Sequence, residues 1–156
     1  MKKVSPVMAE SVPELSGSGY PEPFNTRVGS GTWRPLGDEF DLTQFGVNLE
    51  TLKPGDQSAL RHWHTLSDEF VYVLEGEVVL VTSEGESTLG SGMCAGFKAG
   101  VRNGHHFINR SPARAQLLVL GTRVPGDNAF YPDDDIVWFH TEVGKVAVHK
   151  DGKPFT

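Results

Sequence analysis

The chain has 156 residues, room for one domain of roughly 150 residues with a buried core but too little for a multidomain machine. Its 14 Lys and Arg against 20 Asp and Glu give a net charge of -6, the wrong sign for a nucleic-acid groove. With 18 glycines, 10 prolines and 17 valines against 8 alanines, the chain is heavily punctuated and favours sheet over helix, because branched side chains suit a pleated surface.

Residues 1–25 carry Pro6, Pro13, Gly17, Gly19, Pro21 and Pro23 with few large apolar groups, which predicts an irregular arm. Met1-Lys2-Lys3 begins no recognisable signal peptide, since Ser5, Pro6, Glu10 and Pro13 interrupt what would be its apolar region. From Thr26 onward short apolar segments alternate with turn signals, predicting strands over 43–52, 58–64, 69–82, 93–97, 105–109 and 115–121. The segment from Glu69 to Glu75 is apolar on both faces and is expected to be covered on both sides. Gly76 bends the chain, and Ser83-Glu84-Gly85-Glu86 forms a hairpin turn. No stretch carries helical periodicity, so very little helix is expected. The organisation read from this pattern is an arm (1–25), an all-β domain (26–125) and a C-terminal extension (126–156) whose Tyr131, Trp138, Phe139 and Phe155 pack on the domain. Asp133-Asp134-Asp135 reads as a solvated turn. Cys94 forms no internal disulfide and reads as a small core residue; with no leader and no long apolar run, a cytoplasmic protein without a membrane span is expected.

The informative segment is His62-Trp63-His64 with Glu69. Residues two apart on a strand share a face, so His62 and His64 project together and Trp63 points away. After a four-residue turn, Glu69 opens the next strand and can add a carboxylate oxygen. Imidazole nitrogens with a carboxylate suit one divalent transition metal, whether Fe, Mn, Ni, Cu or Zn. Lys98 and Arg102 are candidates to anchor an anionic group. No catalytic acid or base stands out beside these residues, so the catalytic set is unassigned.

Gly92, Gly100, His105 and Asn109 follow downstream, and here the chain resembles the cupin superfamily. His62, His64, Glu69 and Gly76 match the first cupin motif in type and spacing, although Gly55 lies one residue too far upstream for its leading glycine. Gly92, Gly100, His105 and Asn109 match the second motif piecewise. Lys98 stands where that motif has proline, and four residues rather than two separate Gly100 from His105. The motifs span Gly55 to Asn109, and the strand pattern extends the likeness over 26–121. The resemblance implies an all-β double-stranded β-helix, the cupin jelly-roll barrel, with a metal site inside.

Counting back from Asn109 selects His105 as the fourth ligand, facing inward with Phe107 in a regular strand. A bulge at the inserted Asn103-Gly104 would bring His106 to the metal instead. Val71, Val73 and Phe107 share the inward parity of Glu69 and His105 and are predicted to wall an apolar pocket for a small ligand. The resemblance then implies a metal-dependent enzyme acting on a small polar molecule, either a sugar-type isomerase or epimerase or a dioxygenase. A non-catalytic metal-containing sensor or ligand-binding module is the other reading. Small cupins pair, so a homodimer with the arm lying across its neighbour is expected, with neither nucleic acid nor membrane as partner.

Overall fold

The structure is a computed structural model that describes residues 4–156; Met1 to Lys3, the start of the predicted arm, lie outside the described residues. The arm contributes β1 (Leu15–Ser16) and is followed by β2 (Thr32–Pro35), α1 (Leu36–Glu39) and β3 (Phe45–Leu52). Then come β4 (Trp63–His64), β5 (Glu69–Glu75), β6 (Glu77–Thr82), β7 (Gly85–Gly90), β8 (Cys94–Phe97), β9 (His106–Ile108) and β10 (Ala115–Thr122). The C-terminal segment adds β11 (Ala129–Phe130), β12 (Val137–Thr141) and β13 (Gly144–Val148). The protein is all-β, as expected; α1 is a single turn of four residues. No helix among the described residues is long and apolar enough to cross a membrane.

One sheet runs β1-β2-β3-β10-β5-β8, a second β7-β6-β9, and a third β13-β12-β11-β4. The chain passes back and forth between sheets, so that β10 slots antiparallel between β3 and β5. This is the jelly-roll winding. The inward residues of β3, β5, β6, β7, β9 and β10 meet in one core of Leu52, Val71, Val73, Val78, Leu89, Phe107, Ala115 and Leu117, each large side chain contributing about 1.5–3 kcal/mol by leaving water. A second cluster holds Phe24, Leu60, Ala129, Tyr131 and Ile136, with Tyr20, Trp138 and Phe155 packed against it. The aromatic residues of the arm thus lie on the barrel of their own chain.

Gly76 is required where β5 turns into β6. Its φ is +78°, and a Cβ there would sit 2.5 Å from the Arg114 carbonyl oxygen, so any side chain meets both a disfavoured conformation and a backbone clash.

Three expectations change. The 58–64 segment is a strand only at Trp63–His64; around its earlier residues the chain meets the 105–108 segment only at the isolated bridges Gln57–Ile108 and His62–His105, while the Leu60 N–H donates to the Tyr20 hydroxyl instead. β5 is covered on one face only; Val71 and Val73 are buried while Phe70, Tyr72 and Leu74 on the outer face are about 40% exposed, with no other sheet of the described residues covering them. Cys94 is exposed rather than in the core, since its register opposite Tyr72 puts it on that same outer face. Asp133, Asp134 and Asp135 form the expected turn, with Asp133 and Asp135 exposed, and each carboxylate also has a side-chain partner. Asp133 takes both arms of Arg61 (2.7 and 2.9 Å), Asp134 pairs with Arg27 of the arm region, and Asp135 accepts from His149 at 2.8 Å.

Candidate metal centre

β4 and β5 are joined by a turn at 65–68 that Asp127 shapes from across the barrel. One carboxylate oxygen, Oδ1, accepts from the Leu66 and Ser67 amides at 2.8 and 3.1 Å, while Oδ2 accepts from His64 Nδ1 at 2.7 Å. Fixing Nδ1 as the donor turns the Nε2 lone pair of the neutral ring toward the barrel interior. His62 is set the same way, its Nδ1 donating to the Leu60 carbonyl at 2.8 Å. His105 enters from the opposite strand through two backbone hydrogen bonds with His62, and the Phe97 ring stacks on its imidazole at 3.6 Å between centroids, 6° from parallel.

All three imidazoles converge on Glu69. His105 Nε2 lies 2.5 Å and His62 Nε2 3.5 Å from Oε2, and His64 Nε2 lies 3.4 Å from Oε1. Burial opposes ionisation of Glu69, yet the imidazoles of His105, His62 and His64 outweigh it and hold the carboxyl far below the ordinary range. For His105 burial dominates and, with repulsion from His62 and His64, outweighs the pull of Glu69, so its pKa is lowered. For His64 burial is outweighed by Glu69 and Asp127, and its pKa is raised.

The donors fit a divalent transition ion. Glu69 Oε2 is buried without a well-directed hydrogen bond despite its close neighbours, and His105 Nδ1 is buried without a partner. Lone pairs facing a carboxylate call for a cation or a proton between them. Donor atoms of His62, Glu69 and His105 lie within 4.8 Å of one another, and nitrogen with oxygen donors is the set such ions take.

Three cavities of about 320, 360 and 390 Å³ meet at His64, within the size range of small-ligand sites. The first is walled by Tyr20, Tyr131 and Trp138, and the second by Trp63, Phe97, Lys98 and His105. The third is lined by Asn48, Glu50, Glu69 and the exposed Arg123, His140 and Lys145. Its space has a local cause. On the inner face, Gly46 of β3 pairs with Gly121 of β10, which pairs in turn with Glu69 of β5, so the layer at Glu69 carries no side chain on two of three strands.

The structure therefore brings together His62, His64, Glu69 and His105. The strand register from His106 to Ile108 is regular, with no bulge to exchange the two histidines. His106 faces away; burial, then Arg61, holds its pKa down. Val71, Val73 and Phe107 lie in the main core, beneath the centre, while the cavity walls come from Trp63, Phe97, Tyr20 and Tyr131. Trp63 stacks on Phe130 at 5.0 Å, with Arg102 5.7 Å above its ring. Asn109 serves the loop, its amide donating to the Leu52 and Ala113 carbonyls at 2.8 Å. Sequence reasoning missed Asp127, Tyr131, Asn48 and Glu50. Asp127 sits in a Gly-Asp-Asn turn with no local signal of its partner His64. The polar face of 45–52 was visible as an alternation, but nothing local says which face turns inward.

Residues 48–121 match the family model described as Cupin domain. Among solved structures, a sugar phosphate isomerase from a cupin superfamily, from Silicibacter pomeroyi, shares 43% identity and a TM-score of 0.92 over 97% of each chain. A protein from Acidithiobacillus ferrooxidans described as a candidate sugar phosphate isomerase shares 23% identity, with a TM-score of 0.77 over 91% of this chain and 90% of that one. The polyketide cyclase from Streptomyces resistomycificus shares 20%, with a TM-score of 0.60 over 77% and 80%; these last two show the fold alone. No curated protein sequence matches the chain significantly.

Proposed function

The chain belongs to the cupin superfamily, and from that premise we propose that it is a metal-dependent isomerase of a small phosphorylated sugar. The observation that carries this reading is the convergence of His62, His64 and His105 on Glu69 beside a cavity also lined by Arg123, His140 and Lys145. The 43% identical relative described as a sugar phosphate isomerase supports the same substrate class.

His62, His64, Glu69 and His105 would hold one divalent ion of Fe, Mn, Ni, Cu or Zn. When bound, such an ion supplies Lewis-acid polarisation of a hydroxy-carbonyl group. The remaining residues bind and orient. His140 and Lys145 stand directly opposite each other on β12 and β13, where both side chains can donate to one anion. With Arg123, which also reaches Asp38 at 3.0 Å, they form the phosphate end of the cavity in a protein of net charge -6. Tyr131 and Tyr20, their hydroxyls 3.3 Å apart, offer polar tips on an aromatic wall of the kind that packs on a sugar face.

The test begins with metal analysis of protein purified without added metal. Aldopentose and aldohexose phosphates are then incubated with it under air and under nitrogen. One divalent ion per chain and formation of ketose phosphate in both atmospheres are expected. Oxygen consumption would point to a dioxygenase instead, and metal with ligand binding but no turnover to a sensor or binding module.

A further inference from the structure

The barrel interior contains a second carboxyl group that the metal centre does not use. Glu50 lies on β3 opposite Leu117 of β10, which is opposite Val73 of β5, so its immediate layer is otherwise apolar. One layer nearer the centre, Asn48 lies opposite Val119 and Val71. Asn48 and Glu50 line the same cavity as His64 and Glu69. Among the described residues neither side chain has a hydrogen-bond or ion-pair partner. Polar groups placed on an apolar inner face without protein partners need water or a ligand to satisfy them. Three carboxyl groups thus line one cavity: Glu69 is locked in its charged form by three imidazoles, Asp127 is bonded to His64 and to the Leu66 and Ser67 amides, and Glu50 is unengaged.

We propose that Glu50 is the catalytic acid–base residue of this site, a role that rests on the isomerase reading above. As carboxylate it takes the proton from the carbon next to the substrate carbonyl; that C–H bond breaks and its electron pair becomes the C=C bond of an enediolate. The carboxylic acid then returns the proton to the former carbonyl carbon, while a proton passes from the neighbouring hydroxyl oxygen to the former carbonyl oxygen. The C=C pair makes the new C–H bond, a C=O forms at the adjacent carbon, and Glu50 is a carboxylate again. Nothing is consumed besides the sugar.

The surroundings favour this exchange of protonation states. In the metal-free protein burial, then the charge of Glu69, pushes the Glu50 carboxyl up to about 7, and burial, the larger cause, favours an easily exchanged proton near neutral pH. The other titratable groups on its cavity are His64, Asp127, Arg123, His140 and Lys145. Of the flanking strands, β10 carries no titratable side chain, and β2 carries only Arg34, which is bonded to the Val12 carbonyl and to Glu14.

Glu50→Gln is the test, since the amide is isosteric and mimics the neutral acid that the site tolerates. With metal content equal to wild type, the variant should lose at least about 100-fold in the rate at which deuterium from D2O enters the carbon next to the carbonyl of aldopentose and aldohexose phosphates. In metal-free protein, infrared spectra near neutral pH should show a protonated-carboxyl band in wild type that the variant lacks. Exchange by Glu50→Gln at the wild-type rate, or absence of that band in wild type, overturns the role of Glu50 and leaves the isomerase reading standing. Ketose phosphate formed by metal-loaded wild type without any solvent deuterium also overturns the role of Glu50 alone, whereas metal-loaded wild type that forms no ketose phosphate and exchanges no substrate hydrogen overturns the isomerase reading, and the role of Glu50 with it.

Discussion

Replacing Glu50 by Gln should make the metal-free protein more stable at alkaline pH, contrary to the usual effect of changing an interior side chain. The group's ordinary value is 4.5 and burial raises it to about 7 in the folded state. Between those values the native protein binds a proton that the unfolded chain has released, so stability falls as pH rises through the window. At about 1.4 kcal/mol per tenfold change in proton affinity, the full cost above pH 7 is about 3 kcal/mol. The Gln variant carries no such cost, while Glu69, the histidines and Asp127 are common to both proteins and cancel in the difference. Urea unfolding of both proteins at about pH 5 and about pH 8 measures it. The variant should gain on wild type by up to about 3 kcal/mol between the two. A stability difference that does not change with pH would refute the half-buried, unpartnered state of this carboxyl.

His62→Ala, His64→Ala and Glu69→Ala should each abolish stoichiometric metal in elemental analysis while Trp63→Ala retains it, and Asp127→Asn should weaken metal affinity about 10–100-fold in chelator competition by freeing the His64 ring. His105→Ala should lose metal and His106→Ala keep it in the same titration; the converse would show the bulged register. Gly76→Ala should destabilise the fold by about 2 kcal/mol or more in urea unfolding, and an unchanged midpoint would contradict the left-handed turn and its close approach to the Arg114 carbonyl. Light scattering at micromolar concentration should give a homodimer that Phe70→Lys with Leu74→Lys dissociates, because an apolar outer sheet face of this kind is a natural surface for a second copy; a wild-type monomer would refute it.

The sequence by itself determined the all-β class, through its branched residues and turn punctuation, and the metal-ligand candidates, through their spacing. His-x-His on a strand and Glu after a short turn are local relations, set by a period of two and a loop too short to wander. Even where the backbone was not a full strand, at 58–62, the two histidines kept their shared face.

What the sequence left open depended on which surfaces meet. His105 and His106 differ only in parity, and the choice was made by the regular pairing of β9 with β6 and the bridge from His105 to His62. Asp127 lies 63 positions from the His64 ring it orients. The sharpest case is β3, where Val47 and Leu49 alternate with Asn48 and Glu50. Alternation alone would send the polar set to solvent. In the fold α1 packs against β3 and Leu49 is buried, so Asn48 and Glu50 turn into the barrel. A strand buried on both sides has no outside, and only its tertiary neighbours decide which face meets the site.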